Sequence, residues 1–239
     1  MEEKRINKAI SDTGYCSRRV ADGLIDSGRV TVNGQVAVMG LKVTAEDEIR
    51  VDGNLISHKP PTVYIALNKP RGIECTTNRK TRNNIVDFVK HKERIFPVGR
   101  LDKDSEGLIL LTNDGDIVNK ILRARNNHEK EYIVRVNRPI NAEFIRRMGQ
   151  GVPILGTVTR KSVVEKLDDY TFRIILTQGL NRQIRRMCEY LGYTVVALKR
   201  IRIMNIHLGD LKLGTYRNLS PLELSELNLL LTDSKKTIE

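Results

Sequence analysis

Cysteine is scarce in this chain. Of 239 residues only Cys16, Cys75 and Cys188 are cysteines, odd in number and far apart. That excludes a disulfide framework and a Cys-x-x-Cys metal knuckle, and predicts reduced, buried thiols. Long apolar runs are missing as well: no stretch approaches the ~18 residues that span a bilayer, so an integral membrane protein is excluded. The charged start, Met1-Glu2-Glu3-Lys4-Arg5, lacks the apolar core and cleavage site of a signal peptide, and a cytosolic protein is expected. Four histidines, His58, His91, His128 and His207, show no ligand spacing, so each is expected on the surface or hydrogen-bonded in a core. Internal repeats and low-complexity tracts are absent.

Acidic residues are outnumbered, with 29 Asp+Glu against 41 Lys+Arg, a formal charge of +12. A field of that sign attracts polyanions, and nucleic acid is the first partner to consider. Residues 1–60 hold 9 basic and 9 acidic side chains, which leaves 32 basic and 20 acidic beyond. The whole surplus therefore lies in 61–239, and the larger part must itself meet the polyanion.

The length suits two modest domains. In the first, Ile6, Ala9 and Ile10 share a helical face, and Ser17 is placed to cap a second helix with Val20, Ala21, Leu24 and Ile25 on one face. Gly28 stops that helix. Val30 and Val32, an Asn33-Gly34 turn, Val36 and Val38, then Ile49 and Val51 before Asp52-Gly53, read as small strands and hairpins. The acids of this segment gather at Glu46-Asp47-Glu48 and Asp52, whereas Lys4, Arg5, Lys8, Arg18 and Arg19 lie on or between the helices, so one basic face coexists with neutrality. His58-Lys59-Pro60-Pro61-Thr62 reads as a linker at 58–62, because two prolines interrupt helix and sheet alike.

From residue 63 the chain alternates strands (63–67, 108–112, 132–136, 171–177) with helices near 84–90, 116–122, 141–148 and 181–191. Strands outnumber crossover units and the breaks are short, which predicts an α+β domain over 63–232 with a mixed, mainly antiparallel sheet. Residues 233–239 read as a frayed tail.

The densest segment is Gly99-Arg100-Leu101-Asp102-Lys103-Asp104-Ser105-Glu106-Gly107, followed by an apolar run and Asn113-Asp114-Gly115. Such a glycine-bounded acidic loop before a strand can hold a reactive side chain at a cleft edge. Three chemistries compete for it. A calcium loop would use Asp102, Asp104, Glu106 and Gly107, but Asn113 stands where the bidentate Glu belongs. A pair of carboxylates could cleave a glycosidic bond. A single ionised Asp beside Arg100 could act as nucleophile or base on a bound nucleotide. The residues alone leave the last two open. Further on, Arg182, Arg185 and Arg186 fall at i, i+3 and i+4 of the helix at 181–191, with Ile184, Met187 and Leu191 facing inward, so this helix can present cations to a site.

Several of these stretches occur together elsewhere. Cys16-Ser17-Arg18-Arg19 with Gly28-Arg29-Val30-Thr31-Val32-Asn33-Gly34 resembles the RNA-binding module of ribosomal protein S-four type, here over 1–57. Gly99-Arg100-Leu101-Asp102 with Leu111-Thr112-Asn113-Asp114-Gly115 resembles the catalytic motif of the RsuA/RluF family of ribosomal RNA pseudouridine synthases. Asn68-Lys69-Pro70-x-Gly72, Lys130-Glu131-Tyr132 and Leu176-x-x-Gly179-x-x-Arg182-Gln183-Ile184-Arg185-Arg186-Met187 match that family in the same order. The likeness runs from about Lys4 to Leu231 and is strongest to the F-type branch acting on large-subunit (23S) rRNA.

The resemblance implies a catalytic domain of pseudouridine synthase type with a cleft across a bent mixed sheet. It implies that a uridine base is detached from C1′ and rejoined through C5, with Asp102 as the catalytic group and no cofactor or metal. Arg185 is then the ion-pair partner of Asp102, Tyr132 the ring that stacks on the flipped uracil, and Leu176 part of the base pocket. Arg100 either fills the gap left by the extruded nucleotide or holds a phosphate; an ordinary salt bridge is the competing role. Lys4, Arg5, Lys8, Arg18, Arg19, Arg182 and Arg186 are the RNA-binding candidates. The implied partners are a large-subunit rRNA stem-loop and, as a second candidate, a tRNA stem-loop, with no membrane and a monomeric enzyme.

Overall fold

The computed structural model describes residues 3–57, 60–122 and 127–232. His58 and Lys59 of the expected linker, and the whole of the expected tail, lie outside the described residues. Two compact units are present. One comprises Met1–Val63 with Lys92–Arg94 and Asn113–Gly115, and the other holds the remainder. No helix among the described residues is long and apolar enough to cross a membrane.

In the first unit β1 (Lys4–Arg5) leads into α1 (Ile6–Asp12) and α2 (Arg18–Asp26). Ser17 caps α2 as expected, its hydroxyl accepting from the Val20 N–H. Four strands follow in one sheet, β2 (Val30–Val32), β3 (Gln35–Val36), β5 (Ile49–Val51) and β6 (Asn54–Leu55), while β4 (Lys42–Val43) pairs with β1. At the Asn33-Gly34 turn both residues have positive φ, 50° and 82°, the condition for a tight hairpin whose twist matches its strands. Ile6, Ile10, Ala21, Leu24, Ile25, Val30 and Val51 close the core.

Three expectations change here. Lys4 and Arg5 form a short strand just before α1 rather than lying on or between the helices, because Lys4 registers against Val43. Val38 lies beyond the end of β3 and is exposed. Val20 points to solvent at 53% exposure, since at 100° per residue it falls about a quarter-turn from the stripe made by Ala21, Leu24 and Ile25.

The second unit is built on one large sheet. Its elements are β7 (Tyr64–Lys69), α3 (Ile85–Val89), β8 (Phe96–Val98), β9 (Glu106–Thr112), α4 (Gly115–Leu122), β10 (Lys130–Val136), α5 (Ala142–Gln150), β11 (Pro153–Ile154), β12 (Thr157–Val158), β13 (Val163–Lys166), β14 (Thr171–Leu176), α6 (Gln183–Tyr190), β15 (Val195–Ile203), β16 (Ile206–His207), β17 (Tyr216–Asn218) and α7 (Pro221–Leu230). Among the described residues the strand order is β13-β14-β10-β15-β9-β7-β17, with β16 on β15 and β8 on β9. The sheet is mixed and mainly antiparallel, as expected; β15 against β9 is its parallel pair. The α4 and α7 side chains Ile117, Ile121 and Leu227 pack with Ala66, Leu108 and Leu110 in one core. The α5 and α6 side chains Phe144, Met148, Ile184 and Met187 pack with Val134, Phe172 and Ile174 in another.

β14 alternates half-buried and buried along TFRIIL, as one covered face requires, whereas β9 is buried at every position after Glu106 and reads as an apolar run. The middle of the sheet is fixed by one close approach. Lys69 pairs with Gly107 from β7, Arg200 pairs with Gly107 from β15, and Tyr132 pairs with Arg200 from β10. Gly107 has φ 105°, and a Cβ built there collides with the backbone of Arg200. Glycine is the residue that lets the parallel strands meet.

At the far end Arg217 and Glu223 form a two-pronged pair, both bonds 2.7 Å, and Glu223 also completes the Ser220 capping box that starts α7. The Arg217 guanidinium, aided by the Ser220 N–H and opposed by partial burial, holds the Glu223 carboxyl down at about 2.

Two predictions follow from this packing. Gly107→Ala must open the β9–β15 contact and is expected to destabilise the protein by about 2–4 kcal/mol in denaturant melts. Glu223→Gln is expected to cost about 1 kcal/mol at pH 7, after allowance for solvent screening at a partly exposed pair. Because the folded-state carboxyl titrates below its unfolded value of about 4.3, that difference is present above pH ~4.3 and fades as the pH falls toward about 2. Thermal unfolding of both proteins across that range checks it.

Candidate active site

Asp102 sits in the loop between β8 and β9, and backbone bonds hold that loop in place. The Leu101 N–H donates to the buried Cys75 thiol at 3.4 Å, the Ser105 N–H to the Asp102 carbonyl at 3.0 Å, and the Gly72 N–H to the Lys103 carbonyl at 2.8 Å. Burial pushes the Cys75 thiol above its ordinary pKa, so Cys75 serves here as a protonated structural group. Glu106 opens β9 and lies 3.6 Å from Arg71, so the acidic residues do not converge as a calcium cage would require. Among the described residues no three of His, Cys, Asp and Glu gather as a metal site.

Two guanidinium groups meet the Asp102 carboxylate, both at Oδ2. Arg182 Nη1 is 3.2 Å away and Arg185 Nε 3.5 Å. Oδ1 accepts no hydrogen bond from a described residue, and the side chain keeps 31% exposure. One oxygen is thus held by cations while the other accepts from no donor among the described residues.

The two arginines are held differently. Arg185, on the first turn of α6, is buried at 9% exposure, and its Nη2 donates to the Ser105 hydroxyl at 3.1 Å. Its Nε has no bond of good geometry, so the 3.5 Å approach to Asp102 is its one charged contact. Arg182 departs from the expected helical register: α6 begins at Gln183, and Arg182 is its left-handed N-cap at φ 48°. Gln183 folds its side chain back to accept from the Leu180 N–H, which stabilises the turn. That turn aims Arg182 at Asp102 rather than outward along the helix with Arg186. Arg186 is satisfied locally by Asn181, and Arg100 is exposed with no hydrogen bond or ion pair to a described residue.

Tyr132 and Leu176 are on adjacent strands, with Leu176 opposite Lys130 and Tyr132 opposite Ile174. The Arg200 guanidinium lies over the Tyr132 ring at 5.9 Å, near the limit of a cation–π contact. Sequence reasoning missed Arg200. It is 3% exposed and its Nε donates to the Leu108 carbonyl at 2.7 Å. A signal exists, since Arg200 is two residues beyond the buried Leu198 on β15 and stands where strand alternation asks for an apolar side chain. Lys69 and Lys130 are buried too. Burial lowers the pKa of both ammonium groups, Lys130 to about 8, with the nearby Arg200 charge a further cause for each. Asp102 and Asp104 draw the Lys69 pKa the other way.

Of the basic residues in the first unit, Lys4 and Lys8 lie 3.5 and 3.7 Å from Asp12, while Arg5, Arg18 and Arg19 are exposed and unpaired among the described residues.

Comparison with known proteins adds a second line of observation. Residues 63–190 match the RNA pseudouridylate synthase family and residues 4–49 the S4 domain. The chain is 58% identical over 232 residues to the dual-specificity RNA pseudouridine synthase RluF of Salmonella typhi, covering 96% of this chain and 80% of that protein. It is 36% identical over 241 residues to the ribosomal large subunit pseudouridine synthase B of Bacillus subtilis (strain 168), covering 97% and 98%. A solved pseudouridylate synthase superposes with a TM-score of 0.69 at 30% identity, over 95% of this chain and 99% of that one.

The different settings of the two arginines give a stability prediction. Arg185→Met removes buried hydrogen bonds and is expected to cost about 2 kcal/mol, whereas Arg182→Met, at a half-exposed turn, is expected to stay within about 0.5 kcal/mol of the parent. Urea unfolding of the two variants beside the parent measures both.

Proposed function

The chain belongs to the RNA pseudouridylate synthase family and is an RNA pseudouridine synthase, and from that premise we propose that Asp102 carries the reaction on a uridine of large-subunit rRNA. The pairing of Asp102 Oδ2 with Arg182 and Arg185, which leaves Oδ1 open, is the observation that supports this assignment. In the isomerisation the bond from C1′ to N1 of the ring breaks and a bond from C1′ to C5 forms. A carboxylate can serve as nucleophile on the sugar, as nucleophile on the ring, or as base toward a sugar proton. Each needs one oxygen free and the group held still.

Tyr132 would offer its ring face to the flipped uracil and Leu176 the apolar wall beside it. Arg100, exposed and without a partner among the described residues, is suited to a phosphate or to the space an extruded nucleotide leaves. A large-subunit rRNA stem-loop is favoured as substrate because the Bacillus relative is named for the ribosomal large subunit, and the words "dual-specificity" in the name of the Salmonella relative favour a second RNA, for which a tRNA stem-loop is the candidate. With substrates of this kind we infer a cytoplasmic location. Residues 1–57 would contact phosphates through Arg5, Arg18 and Arg19, which fix register without reading bases, and the charge surplus of the larger part would supply the remaining affinity.

Asp102→Asn is expected to lower pseudouridine formation by at least about 10³-fold while RNA affinity changes little, since the amide keeps the shape but is neither base nor nucleophile. Product analysis on a synthetic stem-loop decides the matter. Pseudouridine at unchanged RNA mass supports isomerisation, an abasic site would mean hydrolysis, and rapid turnover by purified Asp102→Asn would remove Asp102 from the role. Mapping pseudouridine in rRNA and tRNA from a deletion strain identifies the target.

A further inference from the structure

Lys69, Lys130 and Arg200 are buried, yet none has a carboxylate ion-pair partner among the described residues. Lys69 is satisfied by the Pro70 and Ile73 carbonyls, both at 2.9 Å. Lys130 has one acceptor, the His128 carbonyl at 3.1 Å. Arg200 spends its Nε on the Leu108 carbonyl, and its Nη2 is buried with no hydrogen-bond partner among the described residues. Removing cations from water without a counter-charge is unfavourable, and an orphaned buried donor adds to that cost. Packing does not require that expense. Leu198, two residues earlier on the same face of β15, shows what an apolar residue does there.

The strand register places the unbalanced cations beside the groups read above as the base pocket. Tyr132 is directly opposite Arg200 across β10 and β15, Leu176 is directly opposite Lys130 across β14 and β10, and Lys130 precedes Tyr132 by two residues on one face. Gly107, between Lys69 and Arg200 in the same row, contributes no side chain that could shield them.

The reaction supplies the missing negative charge. When C1′–N1 breaks heterolytically, the bonding pair leaves with the ring and spreads over N1, O2 and O4. When C1′ is joined to C5, a ring π pair forms the new bond, C5 then loses its proton and N1 gains one, so atoms and charge balance overall. If a nucleophile adds to the ring instead, the charge still collects on a carbonyl oxygen, O4. We propose that Arg200 and Lys130 form a buried cationic floor that takes up this charge, with the Nη2–H of Arg200 as donor to a carbonyl oxygen of the reacting uracil. The assignment rests on the reading of Tyr132 and Leu176 as the base pocket. It makes the uncompensated cations a preorganised counterpart of a charge that exists only during the reaction, which is where electrostatic stabilisation acts on rate rather than on binding.

Single-turnover conversion of a stem-loop RNA by the full-length protein tests it, using Arg200→Met, Arg200→Lys, Lys130→Met and Lys130→Arg, with RNA affinity and Tm measured for each. Both neutral variants are expected to lose about 10²-fold or more in rate at saturating RNA, with affinity within about threefold of the parent. The charge-keeping variants are expected to stay within about tenfold of the parent. The proposal is overturned if the neutral variants turn over like the parent. It is equally overturned if neutral and charge-keeping variants slow alike in step with a lowered Tm, the mark of a merely structural role. Should Arg200→Met fail to fold, Lys130→Met decides by the same criterion. A parent that leaves uridine unconverted would overturn the functional reading itself, whereas an active parent with an equally active Lys130→Met overturns the cationic floor alone.

Discussion

The site depends on how closely β9 and β15 approach at Gly107. These strands run parallel in a sheet whose other pairings are antiparallel among the described residues, and they meet where a Cβ would strike the Arg200 backbone. Three consequences arise from that contact. The Asp102 loop ends at a fixed place on the sheet, because Asp102 is five residues before Gly107. Arg200 is carried beneath the neighbouring strand so that its Nε reaches the Leu108 carbonyl. Tyr132 is thereby set directly opposite Arg200, which itself pairs with Gly107.

Electrostatics divide the site into two parts. At its mouth Asp102 is held by Arg182 and Arg185, one on a half-exposed left-handed turn and the other anchored by Ser105. Below, Lys69, Lys130 and Arg200 are buried with backbone carbonyls as their hydrogen-bond acceptors. The upper cations have a carboxylate to neutralise them and the lower ones do not, a distribution that costs stability in the folded protein and is intelligible if charge develops above them during reaction. The fold tolerates the cost because the flanking cores, Leu108 and Leu110 with α4 and α7, Val134 and Phe172 with α5 and α6, are continuous and apolar.

Local signals carried far in this chain. The Ser17 cap, the Asn33-Gly34 turn, the alternation in β14 and the Asn84 and Asn141 caps of α3 and α5 each act within a few residues, so the elements they start or stop are where the pattern places them. Local pattern does not reveal β15, β17 or α7. In β15 the basic residues at 199, 200 and 202 interrupt the apolar alternation, and β17 is three residues long. The leucines of α7 surround the helix instead of forming a stripe, leaving Leu222 and Leu229 exposed while Leu227 is buried. Val20 shows the opposite failure, an apolar residue credited to a face from which its own helical phase excludes it.

The α+β class, the mainly antiparallel sheet, the family and the loop that bears Asp102 are legible in the residues alone, because they are written in short-range periodicity, turn residues and ordered motifs. The sequence also marked Arg185 as the partner of Asp102, though through likeness to the family rather than through spacing. That Arg182 joins it follows from the folded turn, since a helix begun one residue earlier would send that side chain outward and nothing in the spacing specifies a left-handed cap. Folding likewise brings the Arg200 guanidinium over the Tyr132 ring, across a strand pairing that joins residues 68 positions apart. Which cations end up buried, and beside which ring, follows from register between distant strands, and register is set by packing that no local pattern contains.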